Sequence, residues 1–94
     1  MNESAARAHV RAIGRVQGVN YRRFTQRSAA NRIVTGWVRN CPDGSVEAVL
    51  EGDKAAVESL IDEMRQGPAN AEVQALEVEW LPFSSEFQGF QVRR

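Results

Sequence analysis

The sequence is poor in cysteine, in histidine and in uncompensated charge. Cys41 is the only cysteine, so an internal disulfide framework is excluded. Twelve basic residues balance twelve acidic ones, and a chain without net charge lacks the broad positive surface of a nucleic-acid-binding protein. We therefore expect no nucleic-acid partner, local anion binding, and a small molecule as the ligand.

Long apolar runs are also missing. No stretch approaches the roughly 20 apolar residues that a membrane-spanning helix requires, and residues 1–13 contain no apolar core long enough for an export signal. These absences predict a cytoplasmic protein with no membrane partner.

Groups for conventional catalysis are few. His9 falls in the middle of a predicted strand and is interpreted as a surface residue. Cys41 abuts a turn, where a small, partly buried thiol is expected and not a nucleophile. The carboxylates have strand or helix-surface spacing, which predicts solvent exposure for Glu47, Glu51, Asp53, Glu58, Asp62 and Glu63. No cluster of histidine, cysteine and aspartate has metal-ligand spacing, so the sequence predicts neither a metal nor a cofactor.

The 94 residues have room for one domain, 1–94, with a modest core. Residues 1–6 are small and polar, and we expect them to be a disordered leader. Changes of apolar period and turn residues divide the remainder into segments. The predicted strands lie at 7–13, 35–40, 45–51 and 72–80 with a short closing strand at Phe90 and Val92, and the predicted helices lie at 21–33 and between Asp53 and Gly67.

Three local patterns support these segments. Pro42, Asp43 and Gly44 between two alternating runs predict a hairpin turn. The second helix has Asp53 as a candidate N-cap and a single apolar stripe made of Val57, Leu60, Ile61 and Met64. In the strand at 72–80 the apolar phase changes between Ala75 and Leu76, which predicts a bulge or a change of packed face.

The order strand, helix, strand, strand, helix, strand favours an α+β fold. Two amphipathic helices would cover one face of a mainly antiparallel sheet, which is the ferredoxin-like split βαβ sandwich. Right-handed crossovers would place the first and third strands side by side at the centre. Such a fold does not by itself indicate a function.

The stretch from Gly14 to Arg22 connects the first strand to the first helix. Glycines at both Gly14 and Gly18 allow backbone N–H groups to turn inward as an anion-binding nest beside a helix N-terminus. An ordinary turn followed by a solvated basic face explains the same residues. Helix geometry separates neighbouring side chains by roughly 100°, so we expect that Arg22 and Arg23 do not both face the loop. Neither a nucleotide P-loop nor a dinucleotide fingerprint fits.

Asn40 closes the second strand at the edge of the hairpin turn. Local pattern leaves two interpretations open: a turn residue that bonds its own backbone, or a neutral amide that orients a water molecule.

Two motifs taken together resemble the acylphosphatase family. Residues 14–22 are similar to its signature G-x-V-Q-G-V-x-[FY]-R, and residues 36–44 are similar to its second motif, G-W-V-x-N followed by an Asp-Gly turn. The similarity covers about residues 8–94. Departures are mild, such as Tyr21 where phenylalanine is more usual.

The resemblance implies metal-independent hydrolysis of acyl phosphates to a carboxylate and inorganic phosphate, by a protein that we expect to be a monomer. By motif, the phosphate-binding arginine falls on Arg22 and the water-positioning asparagine on Asn40. The phosphate cradle falls on Arg15, Val16, Gln17, Gly18, Val19, Asn20 and Tyr21. Two other hypotheses are a catalytically silent anion-binding module on the same fold and an RNA-recognition sheet, for which an aromatic-rich strand motif is lacking.

Overall fold

The computed structural model describes residues 4–94, in which five strands and two helices follow one another. Their bounds are β1 (Ala5–Arg15), α1 (Tyr21–Asn31), β2 (Thr35–Asn40), β3 (Val46–Asp53), α2 (Lys54–Gln66), β4 (Glu72–Leu81) and β5 (Phe90–Arg93).

The strands form one sheet in the order β4-β1-β3-β2-β5. Its pairs are antiparallel except for β2 with β5, which is parallel. The predicted ferredoxin-like arrangement is therefore confirmed, with β1 and β3 adjacent at the centre, and β5 is added at the edge beside β2.

The core lies between the sheet and the two helices. Alternation puts one set of strand side chains on the helix-covered face, and there they are fully buried: Ala8, Val10, Ala12, Val38, Ala48 and Leu50. The predicted stripe of α2 is buried against them at Val57, Leu60, Ile61 and Met64. Burial of a large apolar side chain of this kind contributes about 1.5 to 3 kcal/mol, so this layer stabilises the frame that carries the loop at 16–20.

The irregular alternation of β4 is a β-bulge against β1. Ile13 pairs with Ala75 but Gly14 pairs with Val73, so Gln74 is the extra residue. The bulge shifts the phase, and Val73, Leu76 and Val78 all pack on the core. The predicted bulge is confirmed, one residue earlier than the position at which the pattern changes.

Three expectations about boundaries are wrong. The leader was predicted to include Ala5 and Ala6, but both lie in β1 and pair with β3, while residues 1–3 lie outside the described residues. Gly14 and Arg15 were predicted to be loop and also belong to β1. The first helix ends at Asn31, and Ile33 follows it in a left-handed conformation with φ of 56°. Asp53 occupies the predicted N-cap position, but its side chain makes no capping hydrogen bond.

Glu51 was predicted to be solvated, and its side chain is only 1 % exposed. Its carboxylate accepts hydrogen bonds from the backbone N–H of Ser84 at 2.8 Å and of Glu86 at 3.3 Å, and from Arg7 at 3.2 Å. Because β4 and β5 are at opposite edges of the sheet, the segment 82–89 must pass from one edge to the other. Glu51 lies on β3, the middle strand of the sheet, and binds the segment 82–89 where it crosses that strand.

Candidate active site

The loop at 16–20 joins β1 to α1 and leaves the helix N-terminus open. Gly18 and Asn20 have φ of 74° and 69°, in the left-handed region. Asn20 is the N-cap residue, but its side chain makes no capping bond, and the first turn of α1 contains no acidic residue. The first N–H groups of a helix need external acceptors, so this end of α1 is suited to an anion.

Gln17 fastens the loop to the turn between β2 and β3. Its side-chain Nε2 donates to the carbonyl oxygens of Cys41 and Ser45, both at 2.8 Å. Because the side-chain amide of Gln17 is bonded to the turn, a ligand in the loop would meet the backbone of Gln17 and not its side chain. The turn follows directly on Asn40, so this contact links the cradle to the end of β2.

Tyr21, the first residue of α1, anchors the helix to the protein core. Its side chain is fully buried, and its hydroxyl donates to the carbonyl oxygen of Met64 at 2.7 Å. Burial raises the pKa of Tyr21 above its ordinary value, so the phenol stays protonated. The contact joins the first turn of α1 to the last turns of α2.

A cavity of about 190 Å³ lies between this loop, α1 and the sheet edge. It is lined by Val16, Gly18, Asn20, Tyr21, Arg22, Arg23, Asn40 and Val92. The two predicted catalytic residues, Arg22 and Asn40, thus line one cavity. The predicted cradle residues Arg15, Gln17 and Val19 are not part of the lining.

Both arginines line the cavity, although helix geometry predicts that their side chains point in different directions. Side chains in the first turn of a helix have no preceding turn beneath them, and long ones can reach the same space from either side. Arg22 is half-buried and donates through Nη1 to the backbone carbonyl of Arg93 at 2.8 Å. Arg23 is exposed and makes no hydrogen bond or ion pair within residues 4–94. No carboxylate lines the cavity in the described chain, so its charge is positive.

Asn40 ends β2 opposite Val46. Its Oδ1 atom is buried and has no hydrogen-bond partner among the described residues. The turn interpretation is therefore wrong for this oxygen; Asp43 serves the turn instead, through a bond from the Ser45 N–H at 3.0 Å. A buried acceptor without a donor is costly, by about 1 to 3 kcal/mol, and an O–H group from a ligand or water would satisfy it.

A larger cavity, of about 560 Å³, lies between α1 and α2. Glu63 on its lining accepts from Arg32 at 2.9 Å and from Ser28. Arg32 is already paired with Glu63, and the second arginine on the lining, Arg27, shares the cavity with that carboxylate, which would repel an anion. The cavity beside the loop is the better anion site.

Other expected groups lie away from this cavity. His9 is on the open face of the sheet, where its Nε2 is 2.6 Å from Glu47 Oε2. Cys41 is buried, 7 % exposed. Across residues 4–94 no three or more histidine, cysteine or acidic side chains are grouped as metal ligands. In the same residues no helix has the length and apolar character needed to cross a bilayer.

Sequence reasoning missed three features of the site: the side-chain contacts of Gln17, which was predicted only as part of the cradle; the presence of Arg23 beside Arg22 on the same cavity; and the β5 residue Val92. Gln17 and Val92 depend on contacts with segments that are distant in the chain, which no local pattern signals, whereas Arg23 lies in the open first turn of α1.

The family model for acylphosphatases matches residues 8–92. The chain belongs to the acylphosphatase family. Acylphosphatases from Salinibacter ruber and Pelotomaculum thermopropionicum are each 49 % identical to it, over 94 % and 95 % of this chain and 93 % and 97 % of their own. The crystal structure of acylphosphatase from Bacillus subtilis superposes with a TM-score of 0.91 at 30 % identity, covering 95 % of this chain and 99 % of that one.

Proposed function

We propose that this acylphosphatase-family protein hydrolyses the carboxyl–phosphate bond of acyl phosphates in the cavity beside the loop at 16–20, without a metal ion. Arg22 holds the phosphoryl group together with the N–H groups of the loop and of the α1 N-terminus. Asn40 holds the attacking water. The main support for the proposal is that Asn40 and Arg22 line the same cavity and that the buried Oδ1 atom of Asn40 has no hydrogen-bond partner among the described residues.

The reaction needs few groups because its leaving group is stable. The water oxygen forms a bond to phosphorus, the bond between phosphorus and the acyl oxygen breaks, and its electron pair leaves on the carboxylate. A carboxylic acid has a pKa of roughly 4, so no general acid is required. The water proton passes to a phosphoryl oxygen.

Positioning and charge supply the remaining catalysis. Phosphoryl transfer depends mainly on holding the phosphoryl oxygens and the in-line nucleophile. Guanidinium and backbone donors aimed at those oxygens provide the stabilisation that Mg²⁺ provides elsewhere, and one such donor is worth about 10²- to 10³-fold in rate. The water donates a hydrogen bond to Asn40 Oδ1, and this bond directs the lone pair of the water oxygen toward phosphorus.

The test is hydrolysis of benzoyl phosphate in the presence of EDTA, with inorganic phosphate as inhibitor. Arg22→Gln is expected to lose both activity and phosphate inhibition, whereas Asn40→Ala is expected to lose turnover but keep phosphate inhibition. Arg27→Gln on the same helix, exposed and outside the lining, is the control for charge and folding.

Three outcomes would contradict the proposal. Absence of turnover, or turnover only with added metal, would reject the activity as stated. Phosphate binding without turnover in the unsubstituted protein would establish the silent anion-binding module instead. Loss of phosphate inhibition in Arg23→Gln and not in Arg22→Gln would reverse the assignment of the two arginines.

The location and assembly of the protein belong to the same proposal. We also propose that the protein is a cytoplasmic monomer, with an acyl phosphate as substrate and inorganic phosphate as product.

A further inference from the structure

The cavity beside the loop is small for an acyl phosphate with a large acyl group. Its volume of about 190 Å³ is below the roughly 300 to 1,000 Å³ of pockets that enclose a small molecule. A phosphoryl group held by Arg22 takes up part of that space. A large acyl group such as benzoyl therefore extends through the mouth toward solvent.

The lining residues can be ordered by depth from their exposure. Val16 and Tyr21 are buried and form the floor, whereas Arg22 and Asn40 are half-buried. Arg23 and Val92 are exposed, Val92 to 39 %, and form the mouth. A group that leaves the cavity passes these two side chains.

The two arginines differ in what they already contact. Arg22 donates to the carbonyl of Arg93 at 2.8 Å, which orients its guanidinium at mid-depth. Arg23 has no polar partner among residues 4–94, and no acidic side chain of these residues shares the lining. A guanidinium cannot lose its charge at ordinary pH, so the mouth carries an unpaired positive charge.

We propose that Arg23 is a specificity-determining residue that favours acyl phosphates whose acyl group carries a second negative charge, such as a carboxylate. The inference rests on the proposed function. The phosphoryl group occupies Arg22 and the loop, the hydrocarbon part of the acyl group passes Val92, and a distal anion meets Arg23. A neutral acyl group gains nothing from that cation.

The expected preference is modest because the mouth is solvated. Two unit charges a few ångströms apart near water interact weakly, and exposed ion pairs change an equilibrium by about two- to fivefold. The same weakness makes the preference sensitive to salt, since the screening length falls from about 10 Å at 0.1 M to about 3 Å at 1 M.

The experiment compares three substrates of matched shape: benzoyl, 4-carbamoylbenzoyl and 4-carboxybenzoyl phosphate. The readout is kcat/KM for the carboxylated substrate divided by that for the neutral carbamoyl one. At low salt this ratio is expected to be about two to five in the unsubstituted protein, near one in Arg23→Gln and below one in Arg23→Glu. Arg27→Gln, one turn further along α1 and outside the lining, is expected to keep the ratio of the unsubstituted protein.

A second measurement on the unsubstituted protein uses no variant. Its ratio is expected to fall toward one as salt rises to about 1 M. A ratio that is unaffected by Arg23→Gln or by salt overturns the role of Arg23 while leaving the proposed function intact. Failure to hydrolyse any of the three substrates overturns the proposed function, and this inference with it.

Discussion

Replacing Gln17 by alanine tests whether this side chain matters more for the position of the loop, and so for catalysis, than for the stability of the fold. The side chain donates to the carbonyls of Cys41 and Ser45, and alanine removes both bonds. Each carbonyl keeps a backbone donor: Gly44 N–H lies 3.1 Å from the Cys41 oxygen, and Cys41 N–H lies 2.8 Å from the Ser45 oxygen. Since neither acceptor is left unpaired, the loss falls at the low end of the range for two hydrogen bonds, about 1 to 2 kcal/mol in unfolding free energy.

The effect on catalysis should be larger than the effect on stability. Small domains have about 5 to 15 kcal/mol of stability, so Gln17→Ala remains folded at 25 °C. The loop, however, is no longer fastened to the turn beside Asn40. A misplacement of about 1 Å between the phosphoryl group and its nucleophile costs up to about 100-fold in rate, and we expect kcat for benzoyl phosphate to fall by about 10- to 100-fold, with a smaller change in phosphate inhibition.

The measurements are urea unfolding and steady-state kinetics on the same preparation. Gln26→Ala is the matched control, because Gln26 also donates from Nε2 to a backbone carbonyl, that of Phe90 at 3.1 Å, and lies outside the active cavity. It is expected to lose stability with little change in kcat. The reasoning is refuted when Gln17→Ala loses stability as expected but keeps kcat within about twofold of the unsubstituted protein.

Two further predictions concern stability. Burial raises the pKa of Glu51, but hydrogen bonds from Ser84 and Arg7 outweigh it and lower the pKa below its ordinary value of 4.5. The stability from Glu51 is thus complete above pH 4.5 and is lost as pH falls through the lowered value. The unfolding free energy, measured with urea from about pH 6 to about pH 3, should fall less with decreasing pH in Glu51→Gln than in the unsubstituted protein. The same dependence on pH in both proteins would contradict this. At Gly14 an added Cβ would lie 2.2 Å from the Glu72 carbonyl oxygen, whereas at Gly18 nothing lies within 4 Å. Gly14→Ala should therefore lose more unfolding free energy than Gly18→Ala, for which the left-handed conformation costs about 1 to 2 kcal/mol; equal losses would show that β4 yields at the bulge.

Most of the fold was predictable because it depends on local periodicity. The apolar stripe of α2 and the hairpin turn at Asp43 and Gly44 each occupy a few consecutive residues, and both are confirmed. The phase change in β4 correctly predicted a bulge, but its position at Gln74 depends on the register with β1. Burial of Glu51 was not predictable, since the segment that covers it is 33 residues further along the chain.

The sequence was sufficient to predict which residues form the candidate site, but not how they are placed around the cavity. The motifs named Arg22 and Asn40, which line one cavity. The motifs did not identify Arg23 as a second arginine on that cavity, because helix geometry alone does not account for the open first turn of α1. The position of Gly14 was also misjudged: it permits close approach of β4, and so it belongs to the sheet and not to the cradle.

The place of β5 in the sheet has a consequence for biosynthesis. The loop at 16–20 is translated early, yet its cavity also needs Val92, and Arg22 bonds to a carbonyl 71 residues later in the chain. When only β1 and α1 have emerged from the ribosome, the chain therefore has the phosphate motif but not the complete cavity, whose mouth includes Val92. Substrate turnover should begin only after the β5 residues have emerged and joined β2.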